Sequence, residues 1–529
     1  MDQLFEIDLQ LSSAGARSPS EALCSQLRRA IVAGRLAPGD KLPATRKAGR
    51  LFGVSRNTVA AVYEQLCSEG CVVTRQGSGT YVAKPTPAVR PKPPAEDRTV
   101  PTYRLNEFWL GPDVARGIGF WREGLQAERA APSTGTRCIE FRAGLVDSRL
   151  FPFESFRQVS MRGLRDLERH PMSCKSAQGH QGNFHLRTAI TRYIALTRAV
   201  ACEPADVLVT AGAQQAFDLL ARVLVTPGKT VVAMEDPGYP PMRVPMLEAG
   251  ARVVPVGVDA EGLIVEHLPG DVDVICVSPS HQFPLGVTLS MRRRKALIEF
   301  ARRRNAVLIE DDYDGEFRFE GSPLEALRTA DSADVVFYVG TFSKCMLPAL
   351  RLGFVVAPPW ALPALVAAKN CLDWHCPVPI QLAVASFIAD GHLARHVRKM
   401  RQIYRARRDR LLTLLNEDLR EWLEPLPSYC GMHVAAIARS PGDLDAVTDS
   451  LLKRQVKLHA LSRYYLGHPV RSGFIIGYGA CELSEISQGL ASLREVLADT
   501  TDRFSATSRR EVARRMPQIA TAPLGLRQP

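Results

Sequence analysis

No Cys-x-x-Cys pair occurs among the 12 cysteines of this 529-residue chain. Cys67 and Cys71 stand four apart and Cys371 and Cys376 five apart, with no second pair at zinc-site spacing. That excludes a paired-cysteine zinc site, and the thiols read as small packed hydrophobes of a reducing compartment. The opening residues MDQLFEIDLQL are acidic where a signal peptide needs a basic stretch, so no secretory leader is expected. The most apolar span, Leu352 to Ala368, is broken by Pro358, Pro359 and Pro363 and does not read as a membrane helix. No internal repeat is visible. These absences point to a cytoplasmic protein with no metal and no membrane partner.

What is present is ample material for a large core. Hydrophobic residues make up 46% of the chain and charged ones 23%, and the length suggests two or more domains. The net charge of +12 favours an anionic partner such as nucleic acid but does not decide it. Composition shifts divide the chain into a compact basic block (1–84), a Pro-rich extended linker (85–137), a large block (138–500) and a basic tail (501–529) expected to be disordered.

In the first block, Leu23, Leu27 and Ile31 recur at helical spacing within Ser20 to Ala33, and Gly34 and Pro38-Gly39 end that helix. A second helix from about Ala44 to Leu51, a turn at Phe52-Gly53-Val54 and a third helix capped by Ser55 make a helix-turn-helix. The third helix opens with Ser55, Arg56, Asn57 and Thr58, hydrogen-bonding side chains at the end that meets bases and phosphates in a major groove. CVVTRQGSGTYVA then reads as a β-hairpin wing. The segment GRLAPGDKLPATRKAGRLFGVSRNTVAAVYEQLCSEG closely resembles the winged helix of the GntR family of bacterial regulators. The resemblance implies contacts to double-stranded operator DNA by Arg46, Ser55, Arg56, Asn57 and Thr58, with Gln76 and Gly77 on the wing. Lys47-Ala48-Gly49 departs from the pattern, and Gly49 is expected to weaken its helix slightly.

The large block alternates apolar runs (VLVTAG, VVAMEDP, VDVICVSPS, AVLIEDDY, VVFYVG) with helical stretches, the sign of a mainly parallel α/β sheet. One strand ends in Glu310-Asp311-Asp312-Tyr313, acidic residues where α/β folds place ligands. A second runs into Ala211-Gly212-Ala213-Gln214 and a helix, whose first amides suit a phosphate. A third leads to Tyr239 on a Pro/Gly loop. A fourth ends at Gly340, and Lys344 follows it. Pyridoxal phosphate needs this set: an amine, a carboxylate for the ring nitrogen, a phosphate cup and a flat group over the ring. Asp311 precedes Lys344 by 33 residues, an interval expected to hold one helix and one strand and to return both to the same sheet edge.

At these residues about 360 positions resemble a fold-type-I aminotransferase, and SPSHQFPLG, IEDDYDGEFRF and GTFSKCMLPALRLGF match the MocR subfamily of GntR regulators. The resemblance implies that Lys344 binds the cofactor as a Schiff base. Asp311 would hold the ring nitrogen, Tyr313 the phenolic oxygen, and Tyr239 would stack on the ring. Ala213 and Gln214 would bind phosphate with Thr341, Ser343 and Arg351. It also implies a homodimer in which the winged helix of one chain is able to dock on its partner's large domain.

Two departures bear on activity. Phe283 occupies the slot where aminotransferases carry Asn before Pro-x-Gly, with His281 and Gln282 beside it; the HQFP form is usual in the subfamily. The slot of the substrate-gripping Arg is expected at Phe474, with Arg471 three residues earlier. Two functions follow: a regulator whose aminotransferase-like domain senses an amine, an amino acid or the cofactor, and a working aminotransferase with an accessory DNA-binding domain. The intact winged helix and the missing Arg favour the regulator.

Overall fold

The computed structural model describes residues 19–75, 77–83, 106–115, 138–170, 179–320, 325–440 and 442–515, with side chains described up to residue 500. The chain forms two compact units, Met1–Arg104 and Leu105–Pro529. Most of the segment expected as linker, and Gln76 of the wing, lie outside the described residues.

The first unit holds helices α1 (Pro19–Val32), α2 (Thr45–Leu51) and α3 (Arg56–Ser68) and the hairpin β1 (Val72–Arg75) with β2 (Gly79–Val82). Leu23, Leu27, Val59, Val62 and Leu66 recur at helical spacing, and their burial joins α1 to α3 in one small core. A bidentate pair from Arg28 to Glu69, at 2.6 and 2.9 Å, ties the same two helices at the surface. Gly49 is a correction to the expected weak point. A Cβ there would lie 2.9 Å from Val54 O, so glycine is what lets the turn cross α2 closely. Ala48 is fully buried beside it.

The second unit is built on an eight-stranded sheet. In chain order it contains β3 (Ile139–Glu140), α4 (Phe153–Arg169), α5 (Phe184–Arg198), β4 (Val207–Thr210), α6 (Ala213–Leu224), β5 (Val231–Asp236), α7 (Pro240–Glu248), β6 (Arg252–Asp259), β7 (Gly262–Leu263), β8 (Val274–Val277), α8 (Met291–Arg304), β9 (Val307–Asp312), β10 (Val336–Thr341) and β11 (Gly353–Val356). The strand order is β4-β11-β10-β9-β8-β5-β6-β7, parallel from β10 to β6, with β11 antiparallel to both its neighbours. The five apolar runs read as strands are β4, β5, β8, β9 and β10, and two apolar clusters cover the sheet. The interval from Asp311 to Lys344 differs from expectation. Among the described residues it holds β10 and a short 3-10 turn, Leu327–Ala330, but no α-helix. Gly315 interrupts any helical run after β9.

Helices α9 (Leu362–Leu372), α10 (Val378–Ala389) and α11 (His392–Glu417) lead to a second, four-stranded antiparallel sheet. It comprises β12 (Leu423–Pro425), β13 (His433–Ala438), β15 (His459–Ala460) and β16 (Gly473–Gly477), with α12 (Leu444–Lys453) preceding β14 (Val456–Lys457). β14 pairs with β3, so the start of the large block is stitched to its end. The last helix, α13 (Leu483–Arg515), passes Thr500 and enters the segment expected to be disordered. The first proline after Leu483 is Pro517, so nothing in the covalent backbone stops the helix earlier. Among the described residues no helix is long and apolar enough to cross a membrane.

Candidate functional site

The parallel strands deliver their C-terminal ends to one edge of the large sheet, and a cavity of about 670 Å³ opens there. Its lining includes Ala213 and Gln214 after β4, Tyr239 after β5, Asp311 and Tyr313 at the end of β9, and Thr341, Ser343, Lys344 and Arg351 around β10 and β11. Every cofactor residue expected from the sequence is therefore brought together.

Asp311 and Lys344 are both buried charges in the making. Oδ1 of Asp311 is enclosed and has no hydrogen-bond partner. Burial, reinforced by Asp312 and Asp314, pushes this carboxyl up to about 8. Burial likewise pulls the Lys344 amine down to about 8, against the pull of Asp314 and Asp311. Lys344 Nζ donates to Gly144 O at 2.6 Å, which aims the amine across the cavity. An amine held in this state is a usable nucleophile, and an orphaned carboxyl gains most from a cationic N–H.

The opposite end of the cavity suits an oxyanion. α6 begins at Gly212, whose φ of +82° and lack of a side chain leave the helix without a side-chain cap. A Cβ on Gly212 would lie 2.9 Å from the guanidinium of Arg351, so only glycine admits Arg351 to this place. Arg351 itself donates to Ala211 O at 3.1 Å. Thr341 Oγ1 and Ser343 Oγ, 3.0 Å apart, add hydroxyls from the next turn. Tyr239 and Phe283 meet edge to face at 5.5 Å, and Phe283 meets Tyr313 in the same manner at 6.0 Å. The aromatic wall is thus rigid before any ligand enters.

Two family models match the chain. Residues 146–471 match the aminotransferase class I and II family, and residues 19–82 match the gntR family of bacterial regulatory proteins. The probable rhizopine catabolism regulatory protein MocR of Rhizobium meliloti is 32% identical, over 89% of this chain and 92% of that protein. The chain belongs to the MocR subfamily of GntR-type regulators. The HTH-type pyridoxine biosynthesis transcriptional regulator PdxR of Corynebacterium glutamicum is 30% identical, over 95% of this MocR-type chain and 99% of the relative. Among solved structures, Pyrococcus horikoshii kynurenine aminotransferase, in complex with PMP and KYN as substrates and KYA as products, superimposes with a TM-score of 0.64. It is 26% identical and covers 72% of this chain and 94% of its own.

The expected site of the missing Arg needs correction. Strand alternation sends Phe474 into the core with Phe141, Met432 and Val434. Ile475 is the β16 residue that packs in the cluster of Ala143, Phe283, Tyr239 and Tyr313. Arg471 is exposed and does not line the cavity; only its backbone N–H is engaged, to Tyr465 Oη at 3.2 Å. No residue of β16 lines the cavity of this MocR-type chain.

Sequence reading also missed residues. Gly144, which takes the Lys344 hydrogen bond, lies 200 residues earlier in the chain and carries no local signal. Arg198 at the end of α5 forms a buried pair with Asp312 at 2.6 Å and reaches Ser280. Tyr338 donates to the same carboxylate at 2.6 Å. Asp312 is thereby satisfied where its neighbour Asp311 is not.

On the DNA-binding unit, Ser55 Oγ accepts from Thr58 N at 3.0 Å, the N-cap expected from the sequence. Arg46, Ser55, Arg56, Asn57 and Gly77 are exposed and Thr58 is half-buried. Lys41 and Arg75 lie over the Tyr81 ring at 5.6 and 5.0 Å, two wing cations the sequence reading did not select.

Proposed function

We propose that the chain is a pyridoxal-phosphate-binding transcription regulator that reads operator DNA through its winged helix and senses an amine, an amino acid or the cofactor in its large unit. The observation that carries this reading is the single cavity in which an orphaned buried carboxyl, a buried amine and an uncapped helix N-terminus converge. Bound pyridoxal phosphate supplies an aldehyde that joins an amine and a ring that withdraws electrons from it. Asp311 would hold the ring nitrogen in its protonated form, and Lys344 is the attachment point. The α6 amides with Arg351, Thr341 and Ser343 would neutralise the phosphate, while Tyr239 covers the ring. Arg46, Ser55, Arg56, Asn57, Thr58, Gln76 and Gly77 would contact DNA, with Lys41 and Arg75 completing the wing. The burial of Phe474 in the core, with Arg471 exposed outside the cavity, supports sensing over turnover, because neither position offers a substrate carboxylate a guanidinium. A cytoplasmic homodimer, with the winged helix docking on its partner's large unit, completes the reading.

The deciding experiment is spectroscopic. Purified full-length chain mixed with pyridoxal phosphate is expected to develop a visible Schiff-base absorbance band, and Lys344→Ala to lose it entirely. A wild-type chain without the band refutes the cofactor assignment. Steady turnover of an amino acid with a keto acid would instead support the aminotransferase reading.

A further inference from the structure

Tyr313 is held from behind by two residues that do not line the cavity. Asp314 Oδ2 lies 2.8 Å from His281 Nδ1, and Tyr313 Oη lies 2.9 Å from the same nitrogen. His281 and Asp314 are both buried. A carboxylate only accepts hydrogen bonds, so the proton between Asp314 and His281 resides on Nδ1. A protonated Nδ1 cannot accept, so Tyr313 Oη, which at most shares that one N–H with Asp314, does not donate to it. Burial keeps the Tyr313 phenol protonated, with its titration pushed well above the ordinary value. Its own hydrogen is then left to point elsewhere, and Tyr313 lines the cavity.

The surroundings hold the imidazole in this role. The ring packs 4.7 Å from that of His433, whose Nε2 donates to Pro284 O at 3.0 Å. Burial, and next His281 itself, push His433 far below its usual range, so it stays neutral. Any Cβ on Gly431 would collide with the His281 ring, so the backbone there packs directly on it. Asp314 also faces Asp311, Lys344, Cys430 and Tyr478. None of these displaces it from His281.

We propose that Asp314 and His281 are positioning residues that lock the Tyr313 hydroxyl as a donor into the cavity, toward the phenolic oxygen of the cofactor ring. The inference rests on the pyridoxal-phosphate reading above. The pair sets the tautomer, and the tautomer sets the direction of the Tyr313 hydrogen.

The test follows the pH midpoint of the visible band in the cofactor-loaded full-length chain. A ring oxygen that loses its donor becomes a stronger base and holds the proton it shares with the Lys344 nitrogen to higher pH. Tyr313→Phe is therefore expected to raise the midpoint by about one pH unit, the size of one hydrogen bond to a charged group. Asp314→Asn removes the acceptor that fixes the proton on Nδ1, so that Nδ1 can accept from Tyr313 and draw its hydrogen out of the cavity; its midpoint rises similarly. Adding His281→Leu to Asp314→Asn removes the competing acceptor and returns the midpoint to the wild-type value, which a merely structural role would not do. Should Asp314→Asn not fold, Asp314→Ala, which frees Nδ1 to accept, raises the midpoint in the same direction. An unmoved midpoint in a folded Asp314 variant, or no restoration by His281→Leu, overturns the proposal. Absence of any band in the wild type would refute the cofactor reading instead.

Discussion

Two helix N-termini in this chain use the same backbone device for opposite purposes. α3 starts at Ser55, whose hydroxyl takes the Thr58 amide, and the residues around it are exposed. α6 starts at Gly212, which offers no side-chain cap, and its first turn lines an enclosed cavity beside Arg351. The first helix is completed by its own sequence and presents side chains to a large external partner. The second has no such cap, and its first turn opens on the cavity. The contrast extends to the charges nearby: solvent screens those at α3, whereas those at the cavity sit in protein.

The sharpest way to break this contrast is to unpair a buried charge. Arg198→Met leaves Asp312 with Tyr338 but no cation, and is expected to destabilise the large unit by about 3–5 kcal/mol. Thermal unfolding of the cofactor-free chain reads the loss. An effect of opposite sign is expected at the neighbouring carboxyl. Burial holds the Asp311 carboxyl up at about 8 in the fold, against 3.8 for a free aspartate side chain. A raised folded value favours the fold at low pH, and that contribution is lost as pH rises from about 3.8 through about 8. Asp311→Asn escapes this loss, so the cofactor-free variant is expected to gain stability over wild type progressively across that window while binding pyridoxal phosphate far more weakly. Melting curves at several pH values, with and without cofactor, check both halves; a constant difference across the window would contradict the assignment.

The exposed end should respond least and most locally. Arg56→Ala is expected to cost about 1–3 kcal/mol in operator binding and, if Arg56 meets a phosphate, to lower the salt slope by about one. The visible cofactor band is expected to remain unchanged. Binding isotherms at two salt concentrations measure this, and an unaltered affinity would remove Arg56 from the recognition edge.

Legibility in the sequence follows the range of the interactions involved. The Ser55 cap, the wing glycines and the five strand runs were readable because they depend on neighbours within a few residues. Lys344, Asp311 and Arg351 were readable for another reason: each sits next to the end of a strand, where the parallel topology of the sheet gathers them. The reach of the last helix to Arg515 was not readable, because low apolar content hid the absence of any proline before Pro517. That Phe474 faces the core was not readable, because a continuous apolar run, GFIIG, carries no alternation to mark its faces.

The sequence by itself determined that a winged helix precedes an α/β cofactor fold, and which amine, carboxyl and cation meet at its sheet edge. Only the tertiary structure decided which of two adjacent carboxyls is satisfied. Asp312 finds Arg198 from a helix 114 residues away, whereas Asp311 is enclosed without such a partner. Likewise Gly144 meets Lys344 across 200 residues, and His281 meets Asp314 across 33. Burial gives these contacts their strength, and burial is a property of the assembled core that no local run of residues contains.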